Sequence, residues 1–327
     1  MNTPCKIGFI GAGDISLLHA AAIEHCSTAE LAGLWSIDES LNAEKSEQFG
    51  CHVYESADAL VADPEIDAVF ILTNLETHCE YGQLAMNAGK HVLIEKPVAA
   101  SVSELETLQS CAEKNSVILC PGHNYLHEPG LNRTHELLQS GKLGDLVAIY
   151  IHYHIQHPEE VAKRYPGVIR HILTHHSYLL TYLGGEKNAP ESVSAMKSVV
   201  HYEDYEGEDL AMVNIRLGGG ALAHFCASFA ADDHSADPWT FLIKVIGTEG
   251  ATRFSYRDWV ENKPGVVHSH TWSAYEYHVR EQTRYFVEEC IGKGAAPLSS
   301  IEDAIVCQKL VEGAEMSANE RKEIRVN

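Results

Sequence analysis

Between Lys6 and Leu119 short continuous apolar runs alternate with stretches in which apolar residues return every three or four positions. That is the pattern of buried parallel strands covered by helices. Lys6 to Ile10 predicts a first strand, and the next helix carries Leu17, Leu18, Ala21, Ala22 and Ile23. Strands follow at Glu30 to Trp35, Asp67 to Thr73 and His91 to Glu95, with helices at His78 to Ala88 and Ser101 to Lys114 and a closing strand at Val117 to Leu119. From Pro121 the pattern changes to longer strands that alternate polar and apolar residues. This change divides the chain into 1–121, an α/β domain with a doubly wound parallel sheet, and 122–327, a second domain.

In the second part Asp145 to His157 predicts a strand with His152 and His154 on one face. Val168 to Leu183 predicts one helix closed by Gly184-Gly185. Ser192 to Tyr202, Asp209 to Leu217 and Ala221 to Ser228 form a meander that turns at Gly218-Gly219-Gly220. Strands at Phe241 to Ile246 and Ala251 to Tyr256 follow, then helices near 274–291 and 299–318; Glu276, Tyr277 and His278 are expected at a solvated helix start, and His268 and His270 in an exposed loop.

Composition narrows the class. A chain of 327 residues with 45% hydrophobic residues is long enough for two cores. No apolar run approaches a membrane span, and a strand predicted so soon after Met1 leaves no room for a signal peptide, so a soluble, cytoplasmic protein is expected. Nine cysteines without a CxxC pair argue for reduced thiols over a disulfide framework or zinc ribbon. A net charge of -22 repels nucleic acid and anionic membranes, which favours a small-molecule substrate.

Gly11-Ala12-Gly13-Asp14-Ile15-Ser16 lies between a predicted strand and a predicted helix. There Gly11 permits a tight turn, Gly13 lets the backbone approach a pyrophosphate, and the helix opening at Asp14 and Ile15 receives it; Ser16 is small enough for close packing. About twenty residues on, a carboxylate is expected on the adenosine ribose of NAD. The second strand ends at Ser36, with Asp38 two further, and Asp38 reads equally as a helix cap. Position 37 is Ile, with no cation for the 2'-phosphate of NADP, so NAD is favoured over NADP. Thr73 and Asn74 end a strand where such sheets bind ligands.

Ile94-Glu95-Lys96-Pro97 follows the apolar run from Val92. Together with Gly8 to Gly13, Ala88 to Pro97, Gly122-His123-Asn124, Ser140 to Gly144 and Ile246 to Gly250, it resembles the family of glucose-fructose oxidoreductase, inositol dehydrogenase and the rhizopine catabolism protein, Gfo/Idh/MocA. The resemblance implies a Rossmann domain and an α+β domain with a large, mostly antiparallel open sheet. It also implies nicotinamide-linked redox chemistry on a secondary alcohol of a sugar, cyclitol or related polyol, and pairing of open sheets into homodimers or homotetramers. Lys96 then lies beside the nicotinamide with Glu95, often on a cis Lys-Pro bond, and binds the reacting hydroxyl; an ammonium there stabilises the alkoxide that forms as hydride leaves. His78 corresponds to a histidine near the nicotinamide.

The family places an aspartate and, four residues later, a histidine on one helical face. Anchored on Tyr182-Leu183-Gly184, these positions are His171 and His175. His175 is suited to take the hydroxyl proton. His171 has no fixed negative charge, so it either substitutes as a neutral hydrogen-bonding group or marks different chemistry. Two alternatives therefore stand: a sugar lyase or glycosidase that recycles its NAD, and a cofactor-binding regulator without net redox activity. A metal on His171 and His175, completed by His152, His154 or His157, is the weaker reading because the glutamate of H-E-x-x-H is absent, and no metal is expected. His123, Asn124, Tyr153 and Arg170 are further candidates for the substrate pocket.

Overall fold

The structure, a computed structural model, describes residues 3–229, 239–255, 261–263, 266–268 and 271–326. The first strands and helices alternate in chain order: β1 Cys5–Ile10, α1 Ile15–Glu24, β2 Ala29–Trp35, α2 Glu39–Phe49, β3 His52–Val53, α3 Ala57–Ala62, β4 Ala68–Ile71, α4 His78–Asn87, β5 His91–Glu95, α5 Val102–Asn115 and β6 Leu119–Gly122. The six strands are parallel in the order β3-β2-β1-β4-β5-β6. The order reverses between β1 and β4, and ligands of such sheets bind outside the carboxyl ends of the strands at that point.

A parallel sheet must be covered on both faces, and the side chains of these strands alternate accordingly. Ile7, Phe9, Ala68 and Phe70 enter one core, whereas Ile10, Val69 and Ile71 enter the other. Phe286, Val287 and Cys290 pack into the first core, and Ala304 into the second. Where the sequence suggests one division at 121, the first compact unit comprises 1–127 together with 276–305, and the second comprises 128–275 with 306–327. The returning segment supplies apolar cover that the first 127 residues lack at Phe70, whose ring lies 5.9 Å from that of Phe286.

The closing strand of this sheet runs over Leu119–Gly122, later than its expected span of Val117 to Leu119. Ser116 ends α5 in a left-handed conformation and the Val117 N–H is still bonded to the Ala112 carbonyl, so pairing starts only at Leu119. The consequence is a register in which Gly122 stands opposite Glu95. Pro121 is tolerated because β6 is an edge strand.

The second unit contains α6 Pro129–Gln139, β7 Leu146–Ile155, α7 Glu159–Ala162, α8 Val168–His171, α9 Leu173–Gly184, β8 Pro190–Ser198, β9 Leu210–Leu217, β10 Leu222–Ser228, β11 Trp239–Gly247 and β12 Ala251–Ser255. A hairpin of β13 Glu261–Lys263 and β14 Val266–His268, helices α10 Thr271–Tyr285 and α11 Ile301–Glu320, and β15 Ile324–Arg325 complete the described elements. The seven-stranded sheet has the order β12-β11-β7-β10-β9-β8-β15 and is antiparallel except between β7 and β10. This is the α/β class with a parallel sheet followed by a mostly antiparallel one. Strand β9 buries Ala211, Val213, Ile215 and Leu217 and turns Met212, Asn214 and Arg216 outward.

Further expectations change. The helix expected from Val168 to Leu183 is two helices interrupted at Ile172 (φ -96°). Glu276, Tyr277 and His278 lie within α10, not at its start, and His278 is fully buried against Tyr125 because it falls on the stripe of Tyr275, Val279 and Gln282. Of the expected loop pair, His268 ends β14 and His270 lies outside the described residues, as does Tyr256 beyond β12. No helix among the described residues is long and apolar enough to cross a membrane.

Removing the Phe286 ring should destabilise the first unit in particular. Phe286→Ala is expected to cost about 3–5 kcal/mol, measured as a lower urea midpoint; a change under about 0.5 kcal/mol would show that the returning segment is not part of that core.

Candidate active site

At the end of β1 the chain turns through Gly11, whose φ of 107° suits glycine. Its N–H donates to the Trp35 carbonyl (2.8 Å), and a Cβ there would fall 2.6 Å from the Leu72 carbonyl atoms. Gly11 is thus wedged between β2 and β4 at the reversal of strand order. At Gly13 a Cβ would meet no described atom within 4 Å; close packing does not require glycine there, whereas approach of a ligand to the backbone would. Asp14 and Ile15 open α1 without a side-chain cap, while the Ser16 N–H donates to the Gly13 carbonyl (2.9 Å) and the Leu17 N–H to that of Asp14 (3.2 Å). These features fit a pyrophosphate on a helix N-terminus. Ser16 is fully buried, as close helix packing asks.

Asp38 caps α2: its Oδ1 accepts from the Ser40 N–H (2.9 Å), the Ser40 hydroxyl (2.6 Å) and the Leu41 N–H (3.3 Å). These bonds, the Ser40 hydroxyl foremost, hold the carboxyl below its usual range. All three use one oxygen, so capping and ribose binding through Oδ2 are compatible. Ser36 accepts from the Asp38 N–H at 3.3 Å, and its carbonyl accepts from Asn42 at 2.7 Å.

Across the reversal, Thr73 and Asn74 leave β4. The Asn74 carbonyl accepts from the Thr77 N–H, and the Thr73 hydroxyl accepts from that of Thr77 at 2.8 Å. His78 joins this strand end to the next one: Nε2 lies 3.0 Å from the Thr73 carbonyl oxygen and Nδ1 2.8 Å from that of Pro97. It therefore orients the turn that carries Lys96, whose peptide bond to Pro97 is cis.

Glu95 ends β5 and is 7% exposed. One carboxylate oxygen accepts from His19 Nε2 at 2.9 Å, and the other accepts from the Lys96 N–H at 3.0 Å. Burial opposes its charge, but the His19 bond, the adjacent Lys96 and that N–H together keep the carboxyl below its ordinary range. Desolvation brings the Lys96 amine down to about 8, against the pull of Glu95. Gly122 closes this corner, because a Cβ there would fall 2.7 Å from the Ile94 carbonyl oxygen and 3.0 Å from the Lys96 nitrogen. His123 follows, 2% exposed, with Nδ1 2.7 Å from the Ser299 hydroxyl; burial drives its pKa down to about 3, so it acts as a neutral group. Asn124, equally buried, starts the next turn.

The second unit carries the remaining candidates. Glu208 caps α8 by accepting from the Ile169 N–H at 2.9 Å, and the carbonyl of Glu208 accepts from Val168. The fork of Arg170 engages Glu315 through two bonds of 2.6 Å. His171 stacks on Tyr165 (3.7 Å between centroids) and lies 5.6 Å from the Phe229 ring. Beyond the break at Ile172, His175 is 2% exposed, with Nδ1 2.7 Å from the Tyr178 hydroxyl and its ring 5.5 Å from that of Tyr153. Thus Tyr178 provides an orienting partner for His175. Its neighbour His176 stacks on Phe225, and burial keeps that imidazole neutral.

Sequence reasoning missed His19 and the steric requirement for Gly122 in the first unit, and Tyr178 in the second. Only Tyr178, at i+3 from His175, carries a local signal. His19 reads as one polar residue in an apolar stripe until the fold places Glu95 beside it.

Comparison with known proteins agrees with this architecture. The profile described as "Oxidoreductase family, NAD-binding Rossmann fold" matches residues 5–123, and that of the "GFO/IDH/MocA C-terminal domain" matches residues 131–253. The chain is 26% identical over 337 residues to the myo-inositol 2-dehydrogenase of Thermotoga maritima, covering 98% of each protein. It is 34% identical over 149 residues to the glucose-6-phosphate 3-dehydrogenase of Bacillus subtilis, a match that covers 45% of this chain and 42% of that one. Among solved structures, scyllo-inositol dehydrogenase from Lactobacillus casei with bound NAD(H) and scyllo-inositol superposes with a TM-score of 0.86 at 19% identity, covering 99% of each chain.

His19→Leu leaves the Glu95 carboxylate buried without its partner and is expected to cost about 1.5–3 kcal/mol at neutral pH. Because the folded pKa of Glu95 is depressed, this stabilisation is present above the unfolded-state pKa and disappears as pH falls through the folded one. Urea unfolding of both proteins should therefore show a gap that narrows on acidification, and a gap independent of pH would refute this role.

Proposed function

Because this chain belongs to the oxidoreductase family that joins an NAD-binding Rossmann fold to the GFO/IDH/MocA C-terminal domain, we propose that it is a dehydrogenase acting on a secondary alcohol of a cyclitol or sugar. The observation that carries this reading is the Lys96 amine, with its pKa brought down to about 8, at the carboxyl end of β5 in the sheet that holds the Gly11–Gly13 turn. The bound nicotinamide would supply the hydride acceptor or donor.

In this reading Gly11, Gly13, Asp14 and Ile15 hold the pyrophosphate, and Asp38 with Ser36 binds the adenosine ribose. The preference for NAD over NADP rests on Asp38 Oδ2, and on Ile37, 88% exposed, standing where a cation would grip a 2'-phosphate. Thr73, Asn74 and His78 shape the nicotinamide end. Lys96, as an ammonium, stabilises the alkoxide that develops on the substrate oxygen, and Glu95 keeps that ammonium from losing its proton too easily. His175 takes the hydroxyl proton, with the Tyr178 hydroxyl 2.7 Å from its Nδ1 as orienting partner. His171 contributes shape and stacking rather than the fixed charge of an aspartate. His123, Asn124 and Tyr153 are assigned to substrate hydroxyls, and Arg170, held by Glu315, to positioning α8. The open face of the second sheet exposes Tyr150, Met196, Met212 and Leu222, which supports self-association of the chain through that face.

NADH formation on a panel of inositols and aldoses tests the activity. Lys96→Ala is expected to lower kcat by at least about a thousandfold, in the range of lost electrostatic stabilisation, while NADH binding followed by fluorescence is retained. Turnover in that variant at the wild-type rate would sink the assignment. Binding of NADH with no hydride transfer on any substrate would instead favour a regulator, and product formed without net NADH would favour a lyase that recycles its cofactor.

The same assignment fixes a pH dependence. If the ammonium is the active form, kcat/KM in the oxidative direction falls as pH rises through about 8. Glu95→Gln removes a charge that raises the Lys96 pKa, so the falling limb should move to lower pH. A limb that rises instead would identify Lys96 as a base.

A further inference from the structure

The outward face of the second sheet carries a group of soft donors that the proposed chemistry does not use. His152 and His154 are alternate residues of β7, so their side chains share one face, opposite that of the Tyr153 ring packed beside His175. Strand β10 lies parallel to β7 with Cys226 paired to His152 and Ser228 paired to His154. Cys226 thereby projects on the same face as both histidines. One ligand atom from each of His152, His154 and Cys226 lies within 4.8 Å of the others. Cys226 is 5% exposed and the two imidazoles are half-buried, so the group forms a recessed site with a way in from the imidazole side.

The surroundings add to the donor character. Met212 of β9 pairs with Cys226 in the antiparallel register, which puts a thioether on the same face. The His224 ring lies 5.7 Å from that of His152, and its Nδ1 is 2.9 Å from Asn214 Oδ1, so a third imidazole is held in a fixed orientation at the rim. Oxygen donors are not among the three clustered ligands, and two imidazoles with one sulfur suit Zn2+ or a similar borderline to soft transition-metal ion, not Mg2+ or Ca2+. This grouping differs from the metal arrangement considered from the sequence: His171 and His175 take no part, and the sulfur of Cys226 does.

We propose that His152, His154 and Cys226 form a binding site for a Zn2+-type transition-metal ion that bridges the parallel strands β7 and β10. On binding, the Cys226 S–H bond is replaced by a sulfur–metal bond and the proton passes to solvent. Three protein ligands leave a further position for water, for His224, or for a ligand from another copy of the chain on this exposed face.

The test uses the full-length protein stripped with a chelator and kept reduced. Titration with Co2+ as a spectroscopic stand-in should produce a near-ultraviolet thiolate charge-transfer band together with tetrahedral visible bands, saturating at one ion per chain. Calorimetry should give one tight Zn2+ site and no heat with Mg2+. Cys226→Ser should abolish the charge-transfer band, and both Cys226→Ser and His152→Ala should weaken Zn2+ binding by more than about a hundredfold, beyond the effect typical of outer-shell changes. NADH binding should be unchanged in both variants, which separates this site from the proposed dehydrogenase site and checks folding. With twenty histidines and nine cysteines in the chain, the proposal is overturned by a wild-type protein that shows no thiolate band, or by one whose band and affinity survive in both variants.

Discussion

A carboxylate at the end of β5 sets the terms for the first unit. Glu95 is buried where strand ends converge, and a buried charge is tolerated only when its lone pairs are met. One oxygen is met by His19 from α1 and the other by the Lys96 N–H. The helix that opens at the glycine turn and the strand that delivers the lysine are thereby tied to one another by a single group. Desolvation that would otherwise raise the Glu95 pKa also lowers that of Lys96, so the same corner both positions the amine and tunes it.

Steric constraints reinforce this electrostatic one. Gly11 allows β1 to turn against the Leu72 carbonyl, and Gly122 allows β6 to lie against the backbone of Glu95 and Lys96. His78 spans the remaining gap by facing the carbonyls of Thr73 and Pro97. The site is thus assembled from strand ends whose spacing the parallel sheet fixes, so its precision comes from rigid elements more than from loops. Phe286, Val287 and Cys290 cover one face of that sheet from far along the chain, which makes residues 276–305 part of the same folding unit.

In the second unit the alternation of β7 divides two chemistries. Tyr153 faces inward beside His175, while His152 and His154 face outward toward Cys226. The sequence shows the alternation, but pairing with β10 decides which sulfur meets which imidazole. Similarly, the break at Ile172 gives His171 and His175 separate aromatic surroundings, although their spacing in the sequence suggests a single helical pair.

The alternation of strands and helices, the glycine turn, the Glu-Lys-Pro strand end and the change of pattern after residue 121 are all legible along the chain. All of these are local: they depend on periodicity, on the conformational needs of glycine, or on a short motif and its neighbours. Folding alone brings Gly122 opposite Glu95, carries His19 to the carboxylate 76 positions away, completes the first unit with residues 276–305, and joins Cys226 to the histidines of β7. Each of these is a contact between distant segments, fixed by strand register and by the need to cover a buried sheet on both faces. Neither constraint leaves a mark on any one stretch of sequence.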